Sequence, residues 1–495
     1  MKVIPDSRRG ALWRFALGAM IVVIFTAATT AVAGLLQFKQ LAADIGVSPA
    51  ISKAHVTIPN PGEPQTILVI GSDHRAGEPF AAANTDTMIL VRLDPSSSTI
   101  NVISVPRDLK VDIPQTGGLI TSKLNAAYSI GGPNLLIRVL RTQVFPHLRV
   151  NHIIDVNFAG FSALVNAIGC VYTDVDHRYF NDTALTNYSS INLQSGYQKL
   201  CGADALSFVR FRHTDSDIVR SARQQDFIRW AKDQYGPATL VNNRDRLLRI
   251  FGQHTQTDPD LHSVDGLINL FNLVAFSAGH AIRQVKFPAI LLPCGPAAAG
   301  AQTPCYVTAD PGAEAQAFRA FMTPTQAAQA KPASAGHNGG SRRIALAGLT
   351  DDVADGKTQA AALGHPGLPI YAPRLIGQGS SYESPSPGEY PRAYTLRDLN
   401  HRSHAAYRLT LVVNPSLGQY YGIEGMTWQH PPILGSPTET KFVGGKRLEL
   451  YANGGKLSVV AWRTARAVYW VSNTLTDDLT NSQMVGIAAS LTRVG

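Results

Sequence analysis

Three short apolar runs open the folded part of the chain, at 66–70, 87–91 and 100–105. Each is rich in β-branched residues and has the length of a strand buried on both faces. The pattern then alternates. It predicts a helix over 133–144, a strand over 153–156, a helix over 158–168 and a strand over 171–175. Helices follow over 203–211 and 217–235, then amphipathic stretches near 244–251 and 264–276 and a last strand over 285–292. Alternating strands and helices predict an α/β class, a layered central sheet flanked by helices, over 65–322. Residues 323–341 carry no large apolar side chain and read as a flexible linker. Beyond it, strand patterns at 407–413, 447–451, 457–461 and 467–471 and a helical one at 481–491 predict a smaller α+β domain over 342–495.

The N-terminus carries a different pattern. No Asp, Glu, Lys or Arg occurs from Phe15 to Phe38, and as a helix this run spans about 36 Å, enough to cross a bilayer. Lys2, Arg8, Arg9 and Arg14 precede it against the single acid Asp6. That bias keeps 1–14 in the cytoplasm and exports the rest, giving a single-pass protein of the cell membrane. A cleaved signal peptide is the alternative, since Ala31-Val32-Ala33 fits a processing site. Pro49, Pro59, Pro61 and Pro64 make 39–64 a stalk.

Composition narrows the partners. The formal charge of +9 over 495 residues is mildly basic. It suits anionic lipids or phosphates but lacks the dense Lys/Arg clusters of a nucleic-acid binder. Four cysteines agree with an oxidising compartment. Cys294 and Cys305 bracket a Gly/Pro/Ala loop suited to a local bridge, which leaves Cys170 for Cys201; four buried thiols are the alternative.

Polar groups concentrate where the apolar strands end, the place where α/β folds form ligand crevices. Asp73 follows the first run, Asp86 precedes the second, and Arg107 follows the third. Two carboxylates suit a hard cation such as Mg²⁺ or Mn²⁺ that shares its remaining positions with water and phosphate. Arg75, Arg107, Arg210, Arg212 and Arg220, with Gln224, supply forks that match phosphate oxygens. Asp217, Arg220 and Gln224 share one face of a helix. Arg210 and Arg212 reach one ligand only if their helix ends near them. A solvated basic face with turn aspartates is the plainer alternative.

These residues fall into an ordered series: Gly-Ser-Asp-His-Arg (71–75), Asn-Thr-Asp-Thr-Met (84–88), Ser-Val-Pro-Arg-Asp (104–108), Lys-Leu-Asn-Ala-Ala-Tyr (123–128), Gly-Gly-Pro (131–133), Phe-Val-Arg-Phe-Arg (208–212) and Asp-Ile-Val-Arg-Ser-Ala-Arg-Gln-Gln (217–225). The series resembles the LytR-CpsA-Psr family. The resemblance implies an LCP-type phosphotransferase that moves a glycopolymer from a polyprenyl-pyrophosphate carrier to peptidoglycan. It implies Asp73 and Asp86 as magnesium ligands, and Arg75, Arg107, Arg210, Arg212, Arg220 and Gln224 as the pyrophosphate-binding set. Lys123, Asn125 and Asp217 match motif positions, and any general base is left open between Asp73 and Asp217. The carrier lipid would lie between sheet and helices, where Ile89, Val102, Phe158 and Phe161 are as well explained as core. Asn84 and the Ile218-Val219 pair depart from the usual motifs without removing a charge. The Ala-, Arg- and Gly-rich composition suggests an actinobacterial member, with arabinogalactan, a teichoic-type or a capsular polymer as donor. Rivals within the fold are a polyprenyl-pyrophosphate hydrolase and a non-catalytic glycan-binding scaffold. A DNA-binding regulator is opposed by the export of nearly all basic residues.

Overall fold

The computed structural model describes residues 51, 56–73, 85–184, 190–211, 216–235, 239, 243–277, 279–292, 306–325, 347–384 and 390–494. The apolar run 15–38, most of the stalk, Arg75, Arg212, Cys294, Cys305 and residues 326–346 lie outside the described residues. Among the described residues, no helix is long and apolar enough to cross a membrane.

The first unit contains strands β1 (Gln65–Ser72), β2 (Thr85–Leu93) and β3 (Thr99–Ser104), and the hairpin β4 (Lys110–Gln115) and β5 (Gly118–Lys123). After α1 (Leu124–Val139) come β6 (His152–Asn157), α2 (Phe158–Ile168), β7 (Val171–Val175), β8 (Tyr179–Asn181), β9 (Ile191–Leu193) and β10 (Gly196–Leu200). Then follow α3 (Gly202–Arg210), α4 (Asp217–Gln234), α5 (Arg244–His254), β11 (Thr255–Thr257), α6 (Val264–Ser277), β12 (Ala281–Val285) and α7 (Pro311–Met322). The central sheet runs β11-β6-β1-β2-β3-β12. It is mixed: β1 pairs antiparallel with β2 and parallel with β6, and β3 pairs parallel with β12. Period-two alternation sorts the side chains. Leu68, Ile70, Met88, Leu90 and Ile103 pack on Tyr128, Leu136 and Ile137 of α1 and on Phe321 of α7. Ile67 and Val69 pack with Leu270 and Leu273 of α6 on the other face.

Three sequence expectations shift. The helix expected over 133–144 begins at Leu124 and passes into a π-helical turn at Leu140–Val144. The Gly-Gly-Pro step kinks it instead of starting it, because Gly132 takes φ 65°, a backbone open to a residue without Cβ. The strand expected over 285–292 splits at Pro288: β12 joins the central sheet, while Ala289–Leu291 pairs with Val307–Ala309. Thr325, expected to lie in the linker from 323, instead bonds to Ser97 and Thr99 at the β3 entry.

Strands β7 to β10 form an excursion from this sheet, packed on α2, α3 and α4 through Val171, Tyr179, Phe208, Phe227 and Trp230. Its two ends are joined by the Cys170–Cys201 disulfide. The second unit is an eight-stranded sheet. One face carries Leu409, Tyr421, Ile423, Val460 and Val471 against Met484 and Ile487 of the helix Asn481–Ala489. The opposite face, with Ala406, Met426, Ala461 and Trp470, covers Tyr172 and Tyr197 of the excursion in one apolar cluster. The two units are docked: Tyr172 donates to the Arg397 carbonyl at 2.8 Å, and Arg408 reaches Asp174 at 2.7 Å.

Candidate active site

The ends of β1, β2 and β3 and the starts of α1 and α4 converge on one cluster of charge. A β-bulge makes it possible. Gly71 pairs with Thr87 and Ser72 with Thr85, so Asp86 is the extra residue between them, released from the alternation of its strand. Its carboxylate takes two arginines at once. Oδ1 accepts from Arg107 Nη1, and Oδ2 accepts from Arg210 Nε at 3.3 Å. Arg210 is the last residue of α3, whose helical backbone ends at Phe211. The helix thus ends beside Arg210, the condition set for it to share a ligand with Arg212. Its guanidinium also lies 3.7 Å from the centroid of the Phe158 ring, which fixes its plane.

Asp217 opens α4 and anchors the other side. Its Oδ2 accepts the Arg107 backbone N–H at 3.0 Å, and its Oδ1 accepts from Arg220 Nη2, one helical turn on. Gln224, a further turn along, donates to Thr87 Oγ1 at 2.8 Å. Asp217, Arg220 and Gln224 thus share a buried face, as their spacing predicts. Lys123 Nζ lies 3.0 Å from Asp108 Oδ1, and the Asn125 backbone N–H caps the Arg107 carbonyl at 3.1 Å. Asp73, at the end of β1, is described and partly buried. Arg107, with its side chain 17 % exposed, and Arg210, at 33 %, face the open side; Asp217 and Arg220 lie behind them.

Two further residues of the motif stretches take definite places. Asp108 stands between Lys123 and Arg107; burial raises its pKa, and the Asp217 charge adds to that against Lys123 and Arg107. Its adjacency to Arg107 is the signal that could have found it. Arg223 goes the other way. It donates to the carbonyls of Phe208 and Phe211 and stacks on Tyr179, so it closes the end of α3 and does not face the cluster.

Among the described residues, the cations Arg107, Arg210, Arg220 and Lys123 balance the carboxylates Asp73, Asp86, Asp108 and Asp217. Asp73 and Asp86 are hard oxygen donors at adjoining strand ends, the donor chemistry that a divalent cation of the magnesium type takes. No group of three or more His, Cys, Asp or Glu side chains able to hold a metal occurs among the described residues.

The LytR_cpsA_psr family model matches residues 34–292. The polyisoprenyl-teichoic acid–peptidoglycan teichoic acid transferase TagU of Oceanobacillus iheyensis is 30% identical over 210 residues, covering 41% of this chain and 61% of that protein. The corresponding transferase TagT of Bacillus subtilis is 26% identical over 259 residues, 48% of this chain and 79% of that protein. The crystal structure of B. subtilis TagV aligns with TM-score 0.41 and 21% identity, over 52% of this chain and 96% of that one. Across the first curated relatives, the chain spans from 50% to 61% of their length.

Proposed function

The chain belongs to the LytR_cpsA_psr family, and from that premise we propose that it is a phosphotransferase joining a glycopolymer to peptidoglycan through a phosphodiester. The donor in this reading is a polyprenyl-pyrophosphate glycan. The observation that carries it is the convergence of Arg107 and Arg210 on Asp86 at the open strand ends, with Asp217 and Arg220 behind them.

An acceptor sugar hydroxyl forms a bond to the sugar-linked phosphorus as the bond from that phosphorus to the bridging oxygen breaks. The electron pair leaves with polyprenyl phosphate, and the hydroxyl proton passes to a base or to water. Arg107 and Arg210 exchange Asp86 for the phosphate oxygens and neutralise the charge that grows on them. Arg220 and Asp217 set the orientation of Arg107 through its backbone N–H. Gln224 fixes Thr87 beside Asp86. Lys123 is held by Asp108, and the Asn125 backbone N–H holds the Arg107 carbonyl in the same cluster. Asp73 and Asp86 would hold Mg²⁺, which supplies further charge neutralisation when bound. Both Asp217 oxygens are already engaged, which suits orientation better than proton acceptance. Phosphoryl transfer rests mainly on positioning and charge stabilisation in any case. Arg75 and Arg212 complete the cationic set in this reading. The apolar run 15–38 anchors the chain in the membrane with the catalytic unit outside the cytoplasm, and the polymer is arabinogalactan, teichoic-type or capsular.

The test is to incubate the full chain in detergent with a synthetic polyprenyl-pyrophosphate glycan, peptidoglycan oligomer and Mg²⁺, with an EDTA control, and to weigh the products. A phosphodiester-linked glycan that EDTA abolishes supports the reading. Free polyprenyl phosphate with glycan phosphate makes the protein a hydrolase, and unchanged lipid makes it a scaffold. A C-terminal reporter active in the cytoplasm would overturn the topology.

A further inference from the structure

Behind the end of β1 lies a buried carboxylate outside the ion pairs described above. Asp155 sits on β6 opposite Ile70 in the parallel register and is only 4% exposed. Its Oδ1 accepts from Ser72 Oγ at 2.7 Å, and its Oδ2 accepts from the Tyr128 hydroxyl. Ser72 and Tyr128 are themselves buried. Burying a carboxylate costs more than burying an amide or an apolar group of the same shape, so its place in the sheet calls for a reason.

Position supplies one. Ser72 is the residue before Asp73 and lies at the bulge where β1 loses its regular register with β2. Tyr128 lies one turn beyond Asn125 on α1, the helix that starts at the Lys123 end of the crevice. Asp155 thus ties three elements together at the point where Asp73 leaves the sheet: β1 through Ser72, α1 through Tyr128, and β6 itself. Burial and the adjoining Asp155 charge hold the Tyr128 pKa far above its ordinary value, so the phenol stays a donor to this carboxylate.

We propose that Asp155, clasped by Ser72 and Tyr128, is a positioning residue that fixes the β1 terminus so that the Asp73 carboxylate faces the divalent cation and the pyrophosphate. The proposal rests on the phosphotransferase reading and deepens it.

The test uses the full chain carrying Asp155→Asn, Tyr128→Phe or Ser72→Ala. Four quantities are read: kcat, KM for the lipid carrier, the Mg²⁺ concentration for half activity, and Mg²⁺ affinity by calorimetry without substrate. In Asp155→Asn, kcat falls about 10- to 100-fold, the cost of a small misplacement at a reacting centre. KM for the lipid changes by less than about threefold, because the interaction acts on the transition state and not on uniform binding. The Mg²⁺ requirement rises and the calorimetric affinity falls. Combining Tyr128→Phe with Ser72→Ala gives no more loss than Asp155→Asn alone, since all three act through one carboxylate. Val150→Ala, a core truncation in the same unit, controls for stability. It keeps wild-type Mg²⁺ affinity at an equal drop in melting temperature.

Wild-type kcat and Mg²⁺ affinity in Asp155→Asn overturn the proposal. So does an equal loss of both in Val150→Ala. If Asp155→Asn fails to fold, Tyr128→Phe, which keeps the Ser72 contact, takes its place, and the same outcomes support or overturn the role. If Asp73→Asn leaves Mg²⁺ affinity unchanged, the metal reading falls first and takes this proposal with it. An Asp73→Asn effect beside a silent Asp155→Asn rejects the positioning role alone.

Discussion

The molecule holds two clusters built from the same chemistry, arginine against carboxylate, and they differ in what surrounds them. At the strand ends, Arg107 and Arg210 share Asp86 with their side chains partly open to solvent. At the contact between the two units, Arg408 lies 2.7 Å from Asp174 and 3.5 Å from Glu424, with its side chain only 1% exposed. The second cluster is sealed. A Cβ on Gly422 would collide with Arg408 Cζ, Nη2 and Nε, so the guanidinium lies flat against bare backbone. The Tyr394 hydroxyl donates to Glu424 and accepts the Tyr197 backbone N–H at 2.8 Å, closing the network across the contact. Open arginines can exchange a protein carboxylate for a ligand phosphate. Sealed ones can only hold two pieces of chain together. Residue type alone does not separate a binding site from a structural lock; access does.

That contrast is sharpest in paired substitutions. Arg107→Ala lowers transfer about 100-fold or more, the usual cost of losing one preorganised donor to a developing charge, with little change in melting temperature. Arg408→Ala leaves the buried Asp174 carboxylate without its guanidinium partner and costs about 3–5 kcal/mol in denaturant unfolding. If both variants lose activity and stability in the same proportion, the distinction between the two clusters fails.

The disulfide tests the excursion on which both regions lean. It closes a loop of sequence separation 31. Replacing Cys170 and Cys201 by Ala removes about 3–4 kcal/mol by loop-closure entropy, read as a lower denaturation midpoint. Arg408 and the α3–α4 side of the crevice both rest on this excursion, so the variant weakens the docking contact and the site together.

A smaller effect is carried by pH. Burial pushes the Glu424 carboxyl up to about 8, with the Asp174 charge adding and Arg408 and Tyr394 opposing. The folded chain keeps this proton up to about pH 8, whereas the unfolded chain loses it near the ordinary value of 4.5. The stability from this group is therefore fully present at low pH and declines as pH rises from the unfolded value towards 8. Glu424→Gln flattens that decline across the same window in denaturant titrations. An unchanged slope removes Glu424 as its source. Smallest of all is Arg374→Ala. Its partner Asp351 is 3.9 Å away, both side chains are more than half exposed, and the loss is not measurable.

Much of this is legible in one sequence because it is local. The apolar runs are β1, β2 and β3, and α2, α3 and α4 begin and end within a residue or two of where periodicity puts them. Asp86, Arg107, Arg210, Asp217 and Arg220 stand out by strand ends and helical spacing, and the fold brings them together. What stays hidden depends on long-range pairing. Strand β5 leaves Leu119 and Ile120 exposed, so it lacks the buried pattern that marks a strand, and β4 buries only Val111 and Ile113, too short an alternation to stand out. Leu124–Ile130 is masked because Gly-Gly-Pro mimics a helix start where the chain only kinks. Asp155 gives no signal, since Ser72 lies 83 residues away. The docking of the second unit is equally silent, because Asp174 and Arg408 are 234 residues apart.

The most direct test of the central claim is the binding of a short-chain polyprenyl pyrophosphate to the full chain with Mg²⁺, measured by calorimetry on wild type and Arg107→Ala side by side. Wild type should bind saturably and the variant about tenfold or more weakly, in line with charge-assisted phosphate contacts, while both melt at the same temperature. Equal affinity in the two proteins would show that the open cluster is not where the pyrophosphate sits.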